Sequence, residues 1–416
     1  MKTLTLFTSL MVAASSVLAY PSSHQRTCVI PPSHGDAADN IINTFKKCNK
    51  NSRVVFHKNH EYYIEKPMNI TGLDDVHISI QGNVTFSDKN MTWWQENMFL
   101  LDFQSAGTWW IISGKDIHVD GGGTVNGQGQ VWWDAVVSVP EDDNFPLVAY
   151  AKDPRPVTMV FDKVDNLHVS DINIVQAPFW HVFARDVNHG MFTDLYIHSK
   201  SNSSAKTRNS DFIDLYRSND VVVKDSVIVN SDDCVSFKPN ATNMVIKNLD
   251  CTGSHGLSVG SLGQYANEGE IDVVRDIIVQ DITCKDCQNG ARIKTWPGGK
   301  GLVQNITFDH LEVTNAENPI VITTHYCDNN QMDYCNGSDD ESLSIKDVTF
   351  NDIYGSVSDE KGNPIINMNC SINSPCSGIT LTKIDITAAS NTPENVCDHV
   401  TNAEEIPYCP QYKGSS

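Results

Sequence analysis

The chain has 416 residues, with 51 Asp+Glu against 30 Lys+Arg and a formal charge of −21. An acidic excess of that size excludes a nucleic-acid binder, which needs a basic face to displace counterions, and a polybasic membrane-surface protein. Hydrophobic residues make up 40% of the chain, an ordinary share for a globular protein able to bury a large core.

In chain order, residues 1–19 read as a secretory signal: Lys2 supplies the charged start, Leu4 to Val12 an apolar stretch, and Val17-Leu18-Ala19 a small-residue cleavage pattern before Tyr20. No later run reaches the roughly 20 apolar residues of a membrane span. The polar tail Gln411 to Ser416 carries no lipid-anchor signal. A secreted, extracellular chain is expected, with residues 20–416 forming one domain because no Pro-, Gly- or Ser-rich linker divides it.

The twelve cysteines suit an oxidising compartment. Most fall in close pairs, Cys28/Cys48, Cys234/Cys251, Cys327/Cys335, Cys370/Cys376 and Cys397/Cys409, which read as disulfides clipping local loops. Cys284 and Cys287 form a C-x-x-C spacing without a second pair at zinc-ligand distance, so neither a metal nor a redox role is assigned and their partners stay open. Asn-x-Ser/Thr acceptors begin at Asn69, Asn83, Asn90, Asn202, Asn240, Asn305, Asn336 and Asn369, as in a secreted glycoprotein.

From about residue 160 the chain repeats. The unit Leu167-His-Val-Ser-Asp171-Ile-Asn-Ile174 recurs with its fifth position at Asp194, Asp225, Asn248, Asp281, His310 and Asp352, at spacings of 23, 31, 23, 33, 29 and 42 residues. Short β-branched stretches bounded by Asn, Asp, Ser and Gly at this period indicate a solenoid whose turns share one core. The ladder of a leucine-rich repeat and the Trp-Asp signature of a propeller are absent. An all-β, right-handed parallel β-helix is predicted, with a small N-terminal cap around residues 28–60 and earlier strands at Val76–Ile80 and Ile117–Val119.

Stacked turns lie about 4.8 Å apart, so residues one turn apart sit above each other. Asp211 to Asp232 is 21 residues, Asp233 to His255 is 22, and His255 to Arg292 is 37. These residues are predicted to form a surface column. Within Ala291 to Trp296, alternation puts Arg292 and Lys294 on one face with Ile293 in the core, and two neighbouring cations suit an anionic group such as a carboxylate. Asp232 and Asp233 both reach the surface only if Asn230-Ser231-Asp232-Asp233 is a turn or bulge. Clustered carboxylates are the apparatus of glycoside hydrolysis, and crowding raises one of their pKa values to supply the acid. With the two cations, they point to a uronic-acid polymer. Trp93, Trp94, Trp132 and Trp133 read equally as sugar-stacking platforms or loop anchors.

At Asn209-Ser210-Asp211, Asp232-Asp233-Cys234, Gly253-Ser254-His255-Gly256 and Arg292-Ile293-Lys294 the sequence resembles the polygalacturonase family of glycoside hydrolases. The stretch from Ser254 to Gln264 and Tyr265 is similar to its fungal exo-acting members. The resemblance implies inverting hydrolysis of α-1,4-galacturonosyl linkages in pectate from non-reducing ends, with neither metal nor cofactor. It implies that Asp232 is the general acid, that Asp211 and Asp233 activate water, and that His255 tunes the acid. Arg292 and Lys294 then bind the sugar carboxylate, with Asn209, Gln264 and Tyr326 also facing substrate, and Cys234–Cys251 lies beside the catalytic turn. Phe212 and Ser231 stand where the family has glycine, and Phe212 leaves the sugar subsite's shape, and hence the preferred substrate, open. The expected partner is an acidic polysaccharide, pectate, with no nucleic acid or membrane, and a monomer is expected. Extra loops around residues 85–110 and 130–155 are expected to close one end of a cleft and enforce exo action. The alternatives are an exo-hydrolase of xylogalacturonan or rhamnogalacturonan, a pectin or pectate lyase, and a non-catalytic carbohydrate-binding solenoid.

Overall fold

The structure, a computed structural model, describes residues 26–137, 154–326 and 340–409. The predicted signal, Cys327, Cys335 and Asn336 lie outside the described residues. The chain winds into the predicted right-handed parallel β-helix. Long strands such as Met159–Val175, Asn188–His198, Asn219–Val229, Thr242–Thr252, Asp272–Lys285, Gly301–Ala316 and Ser344–Val357 stack in parallel, each on the next. A second stack runs through Val182–Arg185, Ile213–Tyr216, Asp233–Phe237, Gly256–Leu262, Asn289–Thr295 and Asn318–Thr323.

The sequence repeat is a record of this winding. Its fifth position is left-handed in every copy: Asp171, Asp194, Asp225, Asn248, Asp281, His310 and Asp352 have φ between 46° and 57°. Asn and Asp tolerate that conformation and bend the strand where the next face begins. The apolar positions around the bend stack in register, as in Ile174, Ile197, Ile228, Cys251, Cys284 and Val313. All six are buried, and the cluster they belong to runs from Ile30 to Val400. Burying each large aliphatic side chain contributes about 1.5–3 kcal/mol, which no single turn could collect alone.

The N-terminal cap is narrower than predicted. Helix Ala38–Lys47 buries Ala38, Ile41 and Phe45 over the open end of the core, and Cys28–Cys48 ties it down. Lys50–Phe56 already pairs in parallel with Met68–Ile80 and so belongs to the solenoid. Disulfides join Cys234–Cys251, Cys370–Cys376 and Cys397–Cys409 as expected, and Cys284–Cys287 closes the pair left open. Asn69, Asn83, Asn90, Asn202 and Asn305 are exposed, whereas Asn240 and Asn369 are half-buried. Trp94, Trp132 and Trp133 are buried, so these three anchor loops and are not sugar platforms, while Trp93 is half-buried and packs on the core. Among the described residues, no helix is long and apolar enough to cross a membrane.

Candidate active site

The second strand stack brings the predicted site together. Ser231 and Asp232 form a bend and Asp233 opens strand Asp233–Phe237, with a register shift between Asp233 and Val235. That bulge is what lets consecutive aspartates both serve the site. Asn230, buried, holds the bend by donating from Nδ2 to the carbonyls of Ser210, at 2.9 Å, and Asp233, at 3.1 Å. The next turn supplies His255, whose backbone N–H donates to the Asp232 carbonyl at 2.7 Å. Gly256 must be glycine: it has φ of 86°, and a Cβ there would lie 2.1 Å from the Asn289 carbonyl oxygen.

Arg292 departs from the predicted column. It stacks over Ser258, not His255, and Lys294 stacks over Gly260. Both reach back two turns to Asp233. Arg292 Nη2 donates to Asp233 Oδ1 at 2.6 Å and Lys294 Nζ to Oδ2 at 3.0 Å. Ser258 Oγ also donates to Oδ1, at 2.6 Å, and accepts from Arg292 Nε at 3.1 Å. The two cations share one face as predicted and Ile293 enters the core, but the carboxylate they hold here is the protein's own, and both are buried against it. The cause is register: from strand Asn289–Thr295 their long side chains span the small Ser258 and Gly260.

Asp232 is set differently. His255 Nδ1 lies 3.0 Å from its Oδ1, which also accepts from the Asp233 N–H at 2.9 Å. Its Oδ2 accepts from the Asn209 N–H at 3.2 Å. Its side chain is 15% exposed and that of His255 30%, against 1% for Asp233, so Asp232 is the carboxyl that opens to the surface. Asp211 is buried with Oδ1 unpartnered.

Electrostatics splits these acids into two tiers. Burial opposes ionisation at all of them. Lys294 and Arg292 outweigh it at Asp233 and hold its carboxyl far below the usual range. His255 outweighs it at Asp232, which is also lowered. Asp211 has no such partner; burial, with the neighbouring Asp214, Asp232 and Asp233, pushes it well up. Burial comes first and crowding second in raising Asp211, and of the three predicted acids it is Asp211 and not Asp232 that is raised.

Several site residues were missed. Lys238 Nζ lies 3.1 Å from Asp214 and 5.6 Å from the Trp180 ring centroid, both charges fully enclosed. Burial raises Asp214 to about 7 despite that ion pair. Asp214 and Ser236 are in register, so the stacking arithmetic applied three residues further along would have found Asp214. Arg155 donates to Asn209 Oδ1 and to the Arg208 carbonyl, the latter at 2.8 Å, and no sequence pattern announced it. His181, buried, joins the Asp211 carbonyl through Nδ1 at 2.9 Å and Ser199 Oγ through Nε2 at 2.8 Å.

The remaining predicted residues are also placed. Tyr326 packs edge-on against Trp296, with Lys294 Nζ 5.2 Å from its ring centroid. Gln264 Oε1 accepts from Gln104 Nε2 at 3.4 Å. Phe212 points into the core and is fully buried, so it does not narrow a sugar subsite. Ser231 Oγ donates to the Thr207 carbonyl at 2.7 Å, tying the catalytic bend to the preceding loop.

A parallel β-helix carrying carboxyls of opposed pKa beside buried cations has the groups that acid–base cleavage of a carbohydrate requires. The family profile for glycosyl hydrolases family 28 matches residues 50–406, and the chain belongs to that family. It is 37% identical over 403 residues to exopolygalacturonase rpg16 of Rhizopus delemar, covering 97% of each chain. It is 36% identical over 411 residues to an exopolygalacturonase of Cochliobolus carbonum, covering 94% of this chain and 86% of the relative. Among solved structures it is similar to the endo-xylogalacturonan hydrolase of Aspergillus tubingensis, with a TM-score of 0.71, 24% identity, and coverage of 90% and 96%. That last likeness speaks for the fold.

Proposed function

We propose that this glycoside hydrolase is a secreted exopolygalacturonase that releases galacturonate from the non-reducing ends of pectate. The observation that carries the reading is the meeting of Asp211, Asp232, Asp233, His255, Arg292 and Lys294 from four successive turns of one strand stack. The near-full-length similarity to exopolygalacturonases supports the substrate class and the exo mode. A segment from Phe99 to Thr108 adds support for the exo mode. Its Phe103 stacks on Tyr216 at 4.3 Å and meets Tyr265 edge-on at 6.3 Å, and Gln104 reaches Gln264, so the segment straps one side of the site.

In the reaction, Asp232 donates a proton to the glycosidic oxygen as the C–O bond breaks. Water held by Asp211 and Asp233 attacks the anomeric carbon from the opposite side and inverts it. Asp233, neutralised by two cations, is a weak base, so Asp211 takes the water's proton. The productive complex therefore needs its proton on Asp232, whereas the free protein favours Asp211. A galacturonate carboxylate drawn towards Arg292 and Lys294 supplies the difference, because a negative charge beside Asp232 raises it. Asn209 and Tyr326 border this position.

The test is trigalacturonate labelled at its reducing end. A labelled dimer as first product agrees with attack from the non-reducing end; labelled monomer released first overturns it.

A further inference from the structure

On the other strand stack, three histidines lie one above another in consecutive turns. His77 is in register with His118, and His118 with His168. The rings of His77 and His118 are 4.8 Å apart and 20° from parallel; those of His118 and His168 are 4.6 Å apart and 14° from parallel. Asp120, two residues beyond His118 on the same face, accepts from His77 Nε2 at 2.7 Å and lies 3.5 Å from His118 Nε2. The donor atoms of His77, His118 and Asp120 all fall within 4.8 Å of one another. The Nε2 atoms of both His118 and His168 are buried and hydrogen-bond to nothing.

Two orphaned ring nitrogens side by side are costly, and three imidazoles this close cannot all carry charge. A cation held by His77, His118 and Asp120 gives the His118 nitrogen its missing partner. Imidazole with one carboxylate is the donor set of Zn²⁺ and Cu²⁺, not of Mg²⁺ or Ca²⁺. Ligand nitrogens on one Zn²⁺ sit about 2.0–2.1 Å from the ion, so modest side-chain rotation closes the spacing among these three groups, while His168, two turns from His77, stacks on His118 outside the ligand set. The rims are open enough for an ion to enter, with side-chain exposures of 42% at His118 and 18% at His77. Arg53, one turn before His77, donates a hydrogen bond to Ser79, and its charge adds to that of the histidines in acting on Asp120.

We propose that His77, His118 and Asp120 form a binding site for a late divalent transition-metal ion, represented by Zn²⁺, that ties two turns of the solenoid together. The site is separate from the reaction: its residues lie on Met68–Ile80 and Trp110–Asp120, neither of which carries a catalytic group. Asp232, Asp233 and His255 also bring their donor atoms within 4.8 Å of one another, but Arg292 and Lys294 already supply positive charge there.

The experiment is calorimetric titration of the chelator-treated, full-length protein with ZnCl2 at pH 7, with Tm read in parallel. One equivalent is expected to bind with Kd at or below the micromolar range and to raise Tm. His118→Gln and Asp120→Asn are each expected to weaken binding at least tenfold, while Asp232→Asn leaves it within about twofold. His77→Gln serves in the same way if His118→Gln does not fold. Absence of binding, binding that survives these changes, or binding lost in Asp232→Asn would overturn the proposal.

Discussion

Arg292 and Asp233 stand two turns apart in the solenoid, yet the guanidinium donates to the carboxylate at 2.6 Å, passing over Ser258. With Lys294 on the other oxygen, one buried carboxylate carries two buried cations. The cluster keeps net positive charge in an otherwise acidic protein, and that surplus can be offered to an acidic sugar.

Removing Arg292 tests this arrangement in two ways. Arg292→Gln leaves Asp233 with Lys294 alone, and breaking a buried pair costs roughly 3–5 kcal/mol when no second partner remains, so the loss here is expected to be smaller. KM for oligogalacturonides is expected to rise at least tenfold. Arg292→Lys is expected to recover stability more than KM, because an ammonium restores charge without the guanidinium fork. Thermal melts and steady-state kinetics on the two variants check this.

Asp232→Asn is expected to fold normally and lose about 10²–10⁴-fold in kcat, the range of general-acid catalysis. A galacturonide with a nitrophenol leaving group needs little protonation, so Asp232→Asn is expected to recover much of its activity on that substrate. Asp211→Asn is expected to stay inactive on both. Rescue of Asp211→Asn instead would exchange the two roles.

The raised Asp211 predicts a stability signature. Its folded pKa lies above the unfolded value, so its contribution is fully present below the unfolded pKa and is lost as pH rises through the folded one. Asp211→Asn removes that loss. Its Tm relative to the native protein is therefore expected to be higher at pH 7 than at pH 4. Asp233 behaves in the opposite sense: its depressed pKa gives stability above the unfolded value, lost only in strong acid.

Ionisation of Asp214, raised to about 7, adds negative charge towards neutral pH where an anionic polymer must bind, and Asp211 is raised in the same sense. With the chain's overall charge of −21, this sets an acidic working range. kcat/KM on polygalacturonate is expected to fall at least tenfold between pH 5 and pH 8. A flat profile would contradict this.

Much of the architecture was legible because winding leaves a periodic mark. Asp, Asn or, once, His at each bend with an apolar residue directly after it in most copies repeats once per turn, and the bends proved left-handed at those positions. Site residues on short loops between strands were found by one-turn spacing. The arithmetic failed where it crossed an inserted loop: His255 to Arg292 is not one turn in register, because residues 263–270 intervene before strand Asp272–Lys285. Phe212 was misjudged for a related reason. Whether the residue after Asp211 faces core or cleft depends on the local pleat, and here Phe212 donates to the Asp233 carbonyl and turns inward. Arg155 and His181 reach the site largely through backbone carbonyls, which leave no residue-type signal in a sequence.

The measurement that bears most directly on the proposed activity is the product distribution from polygalacturonate at pH 5, separated chromatographically from the earliest time points. Galacturonate monomer alone, rising linearly while the polymer shortens slowly, is the expected result. An early ladder of oligomers, or no product from this polymer, would contradict an exopolygalacturonase.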